Sequence, residues 1–570
     1  MTKSARTLPI GAEHREFSVK VNGQQVPRSQ QLLSASVSAI ANKIASAKLV
    51  YQDGAAATGQ FQLIEQNLFS IGSRIEIFAG PSAQQQMLFA GLVIGHKIKI
   101  TEGSAPQLII TCKHQAIKAT LSQQGRYFES QRDSDIIEQV LNEHGLNVQV
   151  EATTFTHLHM VQSDSSDWQF CLQRACANGL LVLTRGDRLL YSKADLSADP
   201  TCHLQFGATL LAADLATDAR QQASSHQARF WDPSEQQVVV ENGTSQLETT
   251  PGNSSPSQLA ASMGSPQKVL RQSTERSEES RQWANASQLE AELNRVTGSI
   301  KTLGLAQVLP GDCVQLSGLS SAFNGKALVT GVRHEMDTIN GWRSHFQIGG
   351  ISRPAPAAPL PEVAGLMIGI VISNDDPDGE FRVKIRLPIL DNDAEGIWAR
   401  VGALDAGDDR GLMLRPEVGD EVIVGFIQQD PRRAVILGML HSSAHPAPAQ
   451  PSDDNHIKLF KSRSGLQIRL DDDLQQIELI TTNDKKLLLN DEGDELLLSD
   501  EHGNSVKLSG DGMTLTSEGD IKLTASGDID IQATNISMAA SANFKAEGAA
   551  GADLTTSAVA TVKGSLVKIN

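Results

Sequence analysis

The C-terminal part of the chain repeats a short pattern of apolar and polar positions. In SEGDIKLTASGDIDIQATNISM (517–538) the pairs Ile521/Leu523, Ile529/Ile531 and Ile536/Met538 alternate with polar residues, and Gly519, Gly527 and Asn535 cut the run. Such alternation predicts short strands with one buried face. Positions 503, 511, 519, 527, 535, 543 and 551 are Gly, Asp, Gly, Gly, Asn, Asn and Gly, in steps of eight. These residue types tolerate a left-handed backbone best, so each is predicted to turn a corner. One octad offers about two apolar side chains, whose burial is worth less than the backbone entropy of ordering eight residues. The strands therefore need partners on both edges and a shared interior. Three chains wound together supply both, which predicts an intertwined trimeric β-helix over residues 456–570. Ala525, Ala533, Ala540 and Ala546 suit a narrow shaft. A one-chain β-solenoid is the alternative.

Upstream the pattern changes. GLMIGIVIS (365–373), EFRVKIRLPIL (380–390), EGIWARVGA (395–403), DEVIVGFIQ (420–428) and RRAVILGML (432–440) read as five strands split by DDPDG, DNDAEG and DAGDD turns. Five strands in so short a stretch predict a small closed barrel of oligonucleotide/oligosaccharide-binding (OB) type, because closure removes exposed edges. Further upstream, strand-like runs at Phe17–Val21, Arg74–Phe78, Gln107–Thr111 and Leu180–Thr184 mix with two short helices. DSDIIEQVLNEHGL (133–146) has Asp133 or Ser134 as cap, apolar residues at 136, 137, 140 and 141, and Gly145 as stop. SDWQFCLQRACANGL (166–180) repeats the logic with Gly179. Residues 251–299 are Ser/Gln/Glu-rich and weakly helical, and the pattern gives them no place. The Pro/Ala-rich stretches 352–363 and 441–455 read as extended linkers. The expected division is a first domain at 1–355, a linker at 356–364, the barrel at 365–440, a linker at 441–455 and the β-helix at 456–570. The fold class is mainly β, with α/β insertions in the first domain.

Composition narrows the function. A net charge of −17 argues against nucleic-acid backbones and anionic lipid surfaces as partners. Cys112, Cys171, Cys176, Cys202 and Cys313 are odd in number and scattered, which predicts free thiols and synthesis in a reducing cytosol. The N-terminus has no apolar h-region and no run of 18 apolar residues occurs, so neither a signal peptide nor a membrane span is expected.

No motif for catalysis emerges. There is no GxSxG elbow and no HExxH. GLSSAFNGKAL (318–328) has the wrong glycine spacing for a phosphate loop, and Ala327 stands where Ser or Thr is needed. NDDPDG (374–379) and DNDAEG (391–396) start like calcium loops, but their twelfth positions are Ile385 and Gly402, which predicts polar turns. THLHM (156–160) puts His157 and His159 on one face of a strand, read as a surface strand rather than a metal pair. Trp168 and Trp398 sit in core-like patterns, and Asp471–Asp473 reads as a solvated turn. Phe381, Trp398 and Phe426 are the barrel's candidate stacking aromatics, but they lie in an acidic unit without a basic groove. Catalytic, cofactor and metal residues are accordingly none.

With these residues in view, the chain resembles the VgrG-like hub-spike proteins of contractile injection systems. Gly419, Asp420, Val422, Val424, Asp430, Pro431, Ile436, Leu437 and Gly438 match the family's OB domain. RSGLQIRLDDD (463–473), DEHGNSVKLSGDGMTLTS (500–517) and VKGSLVKIN (562–570) resemble its spike. SDSDIIEQVL, QSDSSDWQFCLQRACANG and VTGVRHEMDTINGWRSHFQIGG (329–350) resemble its hub. The resemblance implies a homotrimer whose hub matches a hexameric tail tube. It also implies tail-tube and baseplate partners, a Pro-Ala-Ala-Arg-repeat (PAAR-like) cone protein on the tip, transient contact with a target membrane, and no nucleic acid. It implies no enzyme activity. The gap between barrel and shaft is too short for a lysozyme domain, and no C-terminal effector extension is expected after the spike motif. EFSVKVNGQQV near the N-terminus is closer to spikes of extracellular phage-tail-like particles than to type VI secretion tips. A type VI tip and a trimeric glycan-degrading tail-spike or adhesin are the competing readings. The expected location is assembly in the cytoplasm, then release or injection with the particle.

Overall fold

The computed structural model describes residues 15–81, 84–245, 247, 251–271, 276–351, 363 and 365–569. The chain splits into two compact units, Met1–His441 and Ser442–Asn570. The described residues are 42% strand and 11% helix, hence mainly β.

The first unit is built on a thirteen-stranded sheet that joins strands from both ends of the domain. Leu32–Ile40 pairs on one side with Ser46–Gln52 and on the other with Gly325–Asp337. Alternation sets the burial. In Arg74–Pro81, Ile75, Ile77 and Ala79 are buried while Arg74 faces solvent. The sheet carries two separate apolar cores, one around Val37, Leu49, Ile75 and Leu108, the other around Ile300, Val314, Val329 and Phe346. Trp342 closes the first, edge-on to Phe17 with centroids 5.5 Å apart. Gly304 lies beneath the Trp342 ring, where a Cβ would come within 2.0 Å.

Between the two halves of this sheet sits an α/β insertion. Asp133–Asn142 and Asp167–Ala177 are helices, and Gly145 and Gly179 lie just beyond them at φ +66° and +70°. Ser166 caps the second helix, its hydroxyl accepting from the Gln169 amide. The first helix departs from expectation: its N-cap is Arg132, and neither Asp133 nor Ser134 caps it. Residues 251–299, which the pattern left unplaced, form the helices Pro256–Ser262 and Ser277–Leu293 and the strands Gln267–Arg271 and Val296–Leu303.

Five strands close the predicted barrel: Met367–Ser373, Val383–Arg386, Ile397–Val401, Ala434–Met439 and Glu421–Phe426. Val371, Val383, Ile385, Val422, Val424 and Ile436 fill it. Val161, from the insertion, joins the same core. Most of the linkers expected at 352–363 and 356–364 lie outside the described residues; Val363 is buried, and its amide donates to the Gln429 carbonyl at 2.9 Å. Residues 441–455 contain no helix or strand.

The second unit is a seven-stranded antiparallel meander from Ile457–Lys461 to Gly512–Thr516, each strand paired with the next. Residues 517–569 form no strand, and all of them beyond Ser517 are exposed. The octad expectation therefore needs correction. Among its positions only Gly503 has positive φ; Asp511, Gly519, Gly527, Asn535, Asn543 and Gly551 do not. The left-handed corners are Gly465, Gln475, Asp484, Asp494, Gly503 and Gly512, nine or ten residues apart. That spacing is the length of one five-residue strand plus one hairpin turn.

Candidate functional site

The residues singled out by sequence fall into three places. The first is a buried ionic network in the insertion. Asp133 is fully buried and accepts from Arg174 Nε at 2.6 Å and Nη2 at 2.8 Å, and from Asn178 Nδ2 at 2.7 Å. His157 Nε2 lies 3.0 Å from the same carboxylate. Burial alone would raise the Asp133 pKa, but the Arg174 charge and His157 outweigh it and hold the carboxyl well below the usual range. His157 is thus not on a surface strand. Its strand, Thr156–Ser166, turns this ring into the insertion, where a carboxylate and a guanidinium replace water. His159, on the same face two residues on, lies near Glu129 and Lys384. Burial and the charges of Lys384 and Arg382 push its pKa down to about 4. Among the described residues no group of three His, Cys, Asp or Glu is placed to hold a metal. All five cysteines are free, and burial pushes the Cys112 thiol up to about 12.

The second place is the joint between barrel and insertion. Arg432 follows the Asp430-Pro431 pair on the closing strand's approach. Its guanidinium is fully buried, with Nη1 2.8 Å from Glu279 Oε1 on the helix Ser277–Leu293 and Nη2 2.9 Å from Asp430 Oδ2. Sequence reasoning missed this pairing, because the partners are 153 residues apart. The calcium-loop look-alikes are turns. Asp376 accepts from Arg382 Nε at 2.9 Å, and this bonding holds its carboxyl well below the ordinary range. Asp391 accepts from the Asp393 amide. Residues 318–324 form a loop ahead of the strand Gly325–Asp337. Of the aromatics, Phe426 packs on the barrel core, Trp398 is covered by the Arg382 guanidinium at 5.6 Å, and Phe381 faces solvent. Trp168 is buried among the insertion's helices.

The third place is the meander, whose two faces differ sharply. Cross-strand register puts Phe460 opposite Ile468, then Leu479, Leu487, Leu498, Val506 and Leu515 in one row. A second row runs through Leu470, Ile477, Leu489, Leu496, Leu508 and Met513. Both rows lie on one face, and most of these side chains are 40–65% exposed. A shallow concavity of about 400 Å³ sits on this face, lined by Phe460, Ile468, Leu479, Leu487 and Leu498. The opposite face mixes ion pairs with Leu459, Leu488 and Leu497. Arg469 pairs with Asp471 at 2.8 Å and Glu478 at 3.5 Å, Lys486 with Glu478 at 2.5 Å, and Lys507 with Glu495 at 2.9 Å. Asp471, expected in a solvated turn, is instead a buried strand end held by Arg469.

The chain thus carries a wide sheet with α/β insertions and a closed five-stranded barrel in its first unit, and a strand-rich tail in its second. Residues 367–441 match the family model described as the type VI secretion system/phage-baseplate injector OB domain. The model described as the Alg8 N-terminal domain matches residues 12–338, more than half of the chain, and the chain belongs to that family. Curated relatives include the type VI secretion system spike protein VgrG1b of Pseudomonas aeruginosa, 30% identical over 141 residues (23% of this chain, 18% of the relative). VgrG3 of Vibrio cholerae is 36% identical over 107 residues (17% of this chain, 10% of the relative). The matches thus span a fifth or less of these relatives' length. Among solved structures, the Francisella PdpA–VgrG complex, lidded, aligns over 89% of this chain and 80% of its own with a TM-score of 0.55 at 9% identity. Its lidless counterpart gives 0.53 at 10% identity, covering 89% and 99%. These two share the fold. The chain is thus similar to VgrG spike proteins, in sequence over part of its length and in fold over most of it. No helix among the described residues is long and apolar enough to cross a membrane.

Proposed function

We propose that the chain is the central hub and spike of a contractile injection machine, working as a homotrimer without enzyme activity of its own. The observation that carries this reading is the meander's exposed apolar face. Two rows of Leu, Ile, Val and Met form a patch of the kind that marks an interaction surface. On the opposite face the ion pairs among Arg469, Asp471, Glu478 and Lys486 satisfy the charges within the chain. Three copies bringing their apolar faces together would bury both rows. Residues 517–569, unpaired within their own chain, would continue as the intertwined β-helix, so that 456–570 is one shaft. The two cores of the hub sheet support a match to a sixfold tube, since three chains contribute six lobes. The domain limits that go with this are 1–355 hub, 365–440 barrel and 456–570 shaft. The tube and baseplate proteins would bind the hub, and a PAAR-like cone the tip, with membrane contact confined to the moment of firing. The chain would be made in the cytoplasm and leave it with the particle.

Two machines fit. The hairpin Arg15–Val21/Gln24–Gln25, turning at Asn22-Gly23, carries the N-terminal likeness to extracellular phage-tail-like particles. The names of the curated relatives favour a type VI tip. Gene neighbours separate them: sheath, tube and cargo genes in one cluster, or genes of a membrane complex. Light scattering tests the common core of the proposal. The full chain is expected at three times its monomer mass, and Leu479→Asp with Leu489→Asp is expected to shift it to monomer while the circular dichroism of the hub persists. A monomeric full chain, or a doubly substituted chain that stays trimeric, contradicts it.

A further inference from the structure

Three strands of the first unit stand apart from its large sheet. Ser225–Asp232 lies at the centre, Gln237–Asn242 runs antiparallel on one side, and Gln267–Arg271 runs parallel on the other. Their inner face packs on the helix Ser277–Leu293: His226 Nδ1 is 2.9 Å from Ser287 Oγ, and Glu241 pairs with Arg281 at 3.0 Å. On the outer face the register sets Trp231 opposite Val238, and Arg229 between Val240 and Arg271. Trp231, Val238 and Val240 are 49%, 59% and 43% exposed.

Two independent features make this face incomplete as it stands. Arg229 and Arg271 are direct cross-strand neighbours, a pairing of like charges that disfavours the sheet unless an anion joins it. Arg229 Nε is buried with no hydrogen-bond partner, and among the described residues no ion pair to a carboxylate engages either guanidinium. In a chain of net charge −17, such a cationic spot on an apolar surface calls for a negative ligand. The second feature is the edge itself. Gln237–Asn242 (QVVVEN) ends the sheet with neither Lys nor Pro, and its one charge, Glu241, is turned inward and neutralised by Arg281, which leaves the outer side of the edge uncharged.

We infer that this edge binds an extended segment of a partner protein by strand addition, with an apolar residue and a glutamate two positions apart on its outer side. The backbone of that segment pairs with Gln237–Asn242. Its apolar side chain lies beside Val238 and Trp231. A glutamate beside Val240 stands two strand spacings, about 10 Å, from the Arg229 backbone, a gap the two side chains span together. Arg271 adds a second positive charge behind the first.

The probe is a fluorescein-labelled peptide, Thr-Val-Thr-Leu-Thr-Glu-Thr-Val-Thr, titrated with the full-length protein and read by anisotropy. Its control carries Lys in place of Glu. The Glu peptide is expected to bind at least tenfold tighter than the Lys peptide. Arg229→Glu with Arg271→Glu, both on the outer face of the sheet, is expected to reverse that preference with circular dichroism unchanged. Val238→Lys is expected to weaken both peptides tenfold or more by guarding the edge. Absence of binding by the Glu peptide, equal binding of the two peptides, or a preference that survives the charge reversal overturns the proposal.

Discussion

Replacing Arg432 by Met should loosen the joint between hub and barrel more than any other single change on the barrel surface. The guanidinium is fully buried and contacts Glu279 from one element and Asp430 from another, both themselves nearly buried. Removing it leaves two carboxylates in low dielectric without their shared cation. Breaking a buried pair in this way costs about 3–5 kcal/mol, because the cost is that of the stranded charge and not of the lost contact alone. At about 1.4 kcal/mol per tenfold, the open population should rise by roughly two to four orders of magnitude. Hydrogen exchange reads this directly, and the amides of Ser277–Leu293 and Ala434–Met439 should lose protection together. The companion variant Arg432→Met/Glu279→Gln/Asp430→Asn, which removes the stranded charges as well, should recover most of the loss. A loss below about 1 kcal/mol for Arg432→Met alone would refute the reasoning, since it would mean that water reaches the carboxylates. So would a triple variant as damaged as the single one.

Two further outcomes follow from the geometry. Burial lowers the pKa of His334 to about 3, with the His345 charge adding to it, and that of His159 to about 4. Between those values and about 6.5 the unfolded chain binds more protons, so stability should be flat above pH 6.5 and fall as pH drops towards 4. Urea midpoints across pH 4–7.5 check the sign, and His159→Gln should flatten part of the slope. Gly396→Ala sets a methyl 2.1 Å from the Ile385 carbonyl oxygen at a φ of +87°, so the barrel should lose about 1–3 kcal/mol, visible as a lower thermal midpoint.

How much of this was legible depends on the range of the interactions involved. The barrel was readable because its strands are short, their interior residues alternate or run continuously, and their turns carry Asp and Gly. Strand ends were overrun by up to four residues, as at EFRVKIRLPIL, where only Val383–Arg386 is paired. The role of Asp133 was not readable. A carboxylate at a helix start looks like a cap, and only the arrival of Arg174 and His157 from other elements makes it a buried counter-ion. The helix Ser277–Leu293 hid because half of its buried residues are Ala and Ser, with only Trp283, Leu289 and Leu293 as large apolar anchors. In the tail, counting Gly, Asp and Asn gave a period of eight. The actual corners include Gln475, a residue type that count ignores, and follow the longer hairpin period. Alternation did show the tail's strands up to Thr516, with their apolar residues on one face.

Residues 517–569 find no ladder partner in their own chain. Under the trimer proposed above, this has a kinetic meaning. A segment that must wait for two other molecules is made ordered by an encounter, whose rate climbs steeply with concentration. Newly made subunits would therefore be most vulnerable to proteases when scarce, and synthesis in bursts, several copies close together in space and time, would be the condition under which the point is finished.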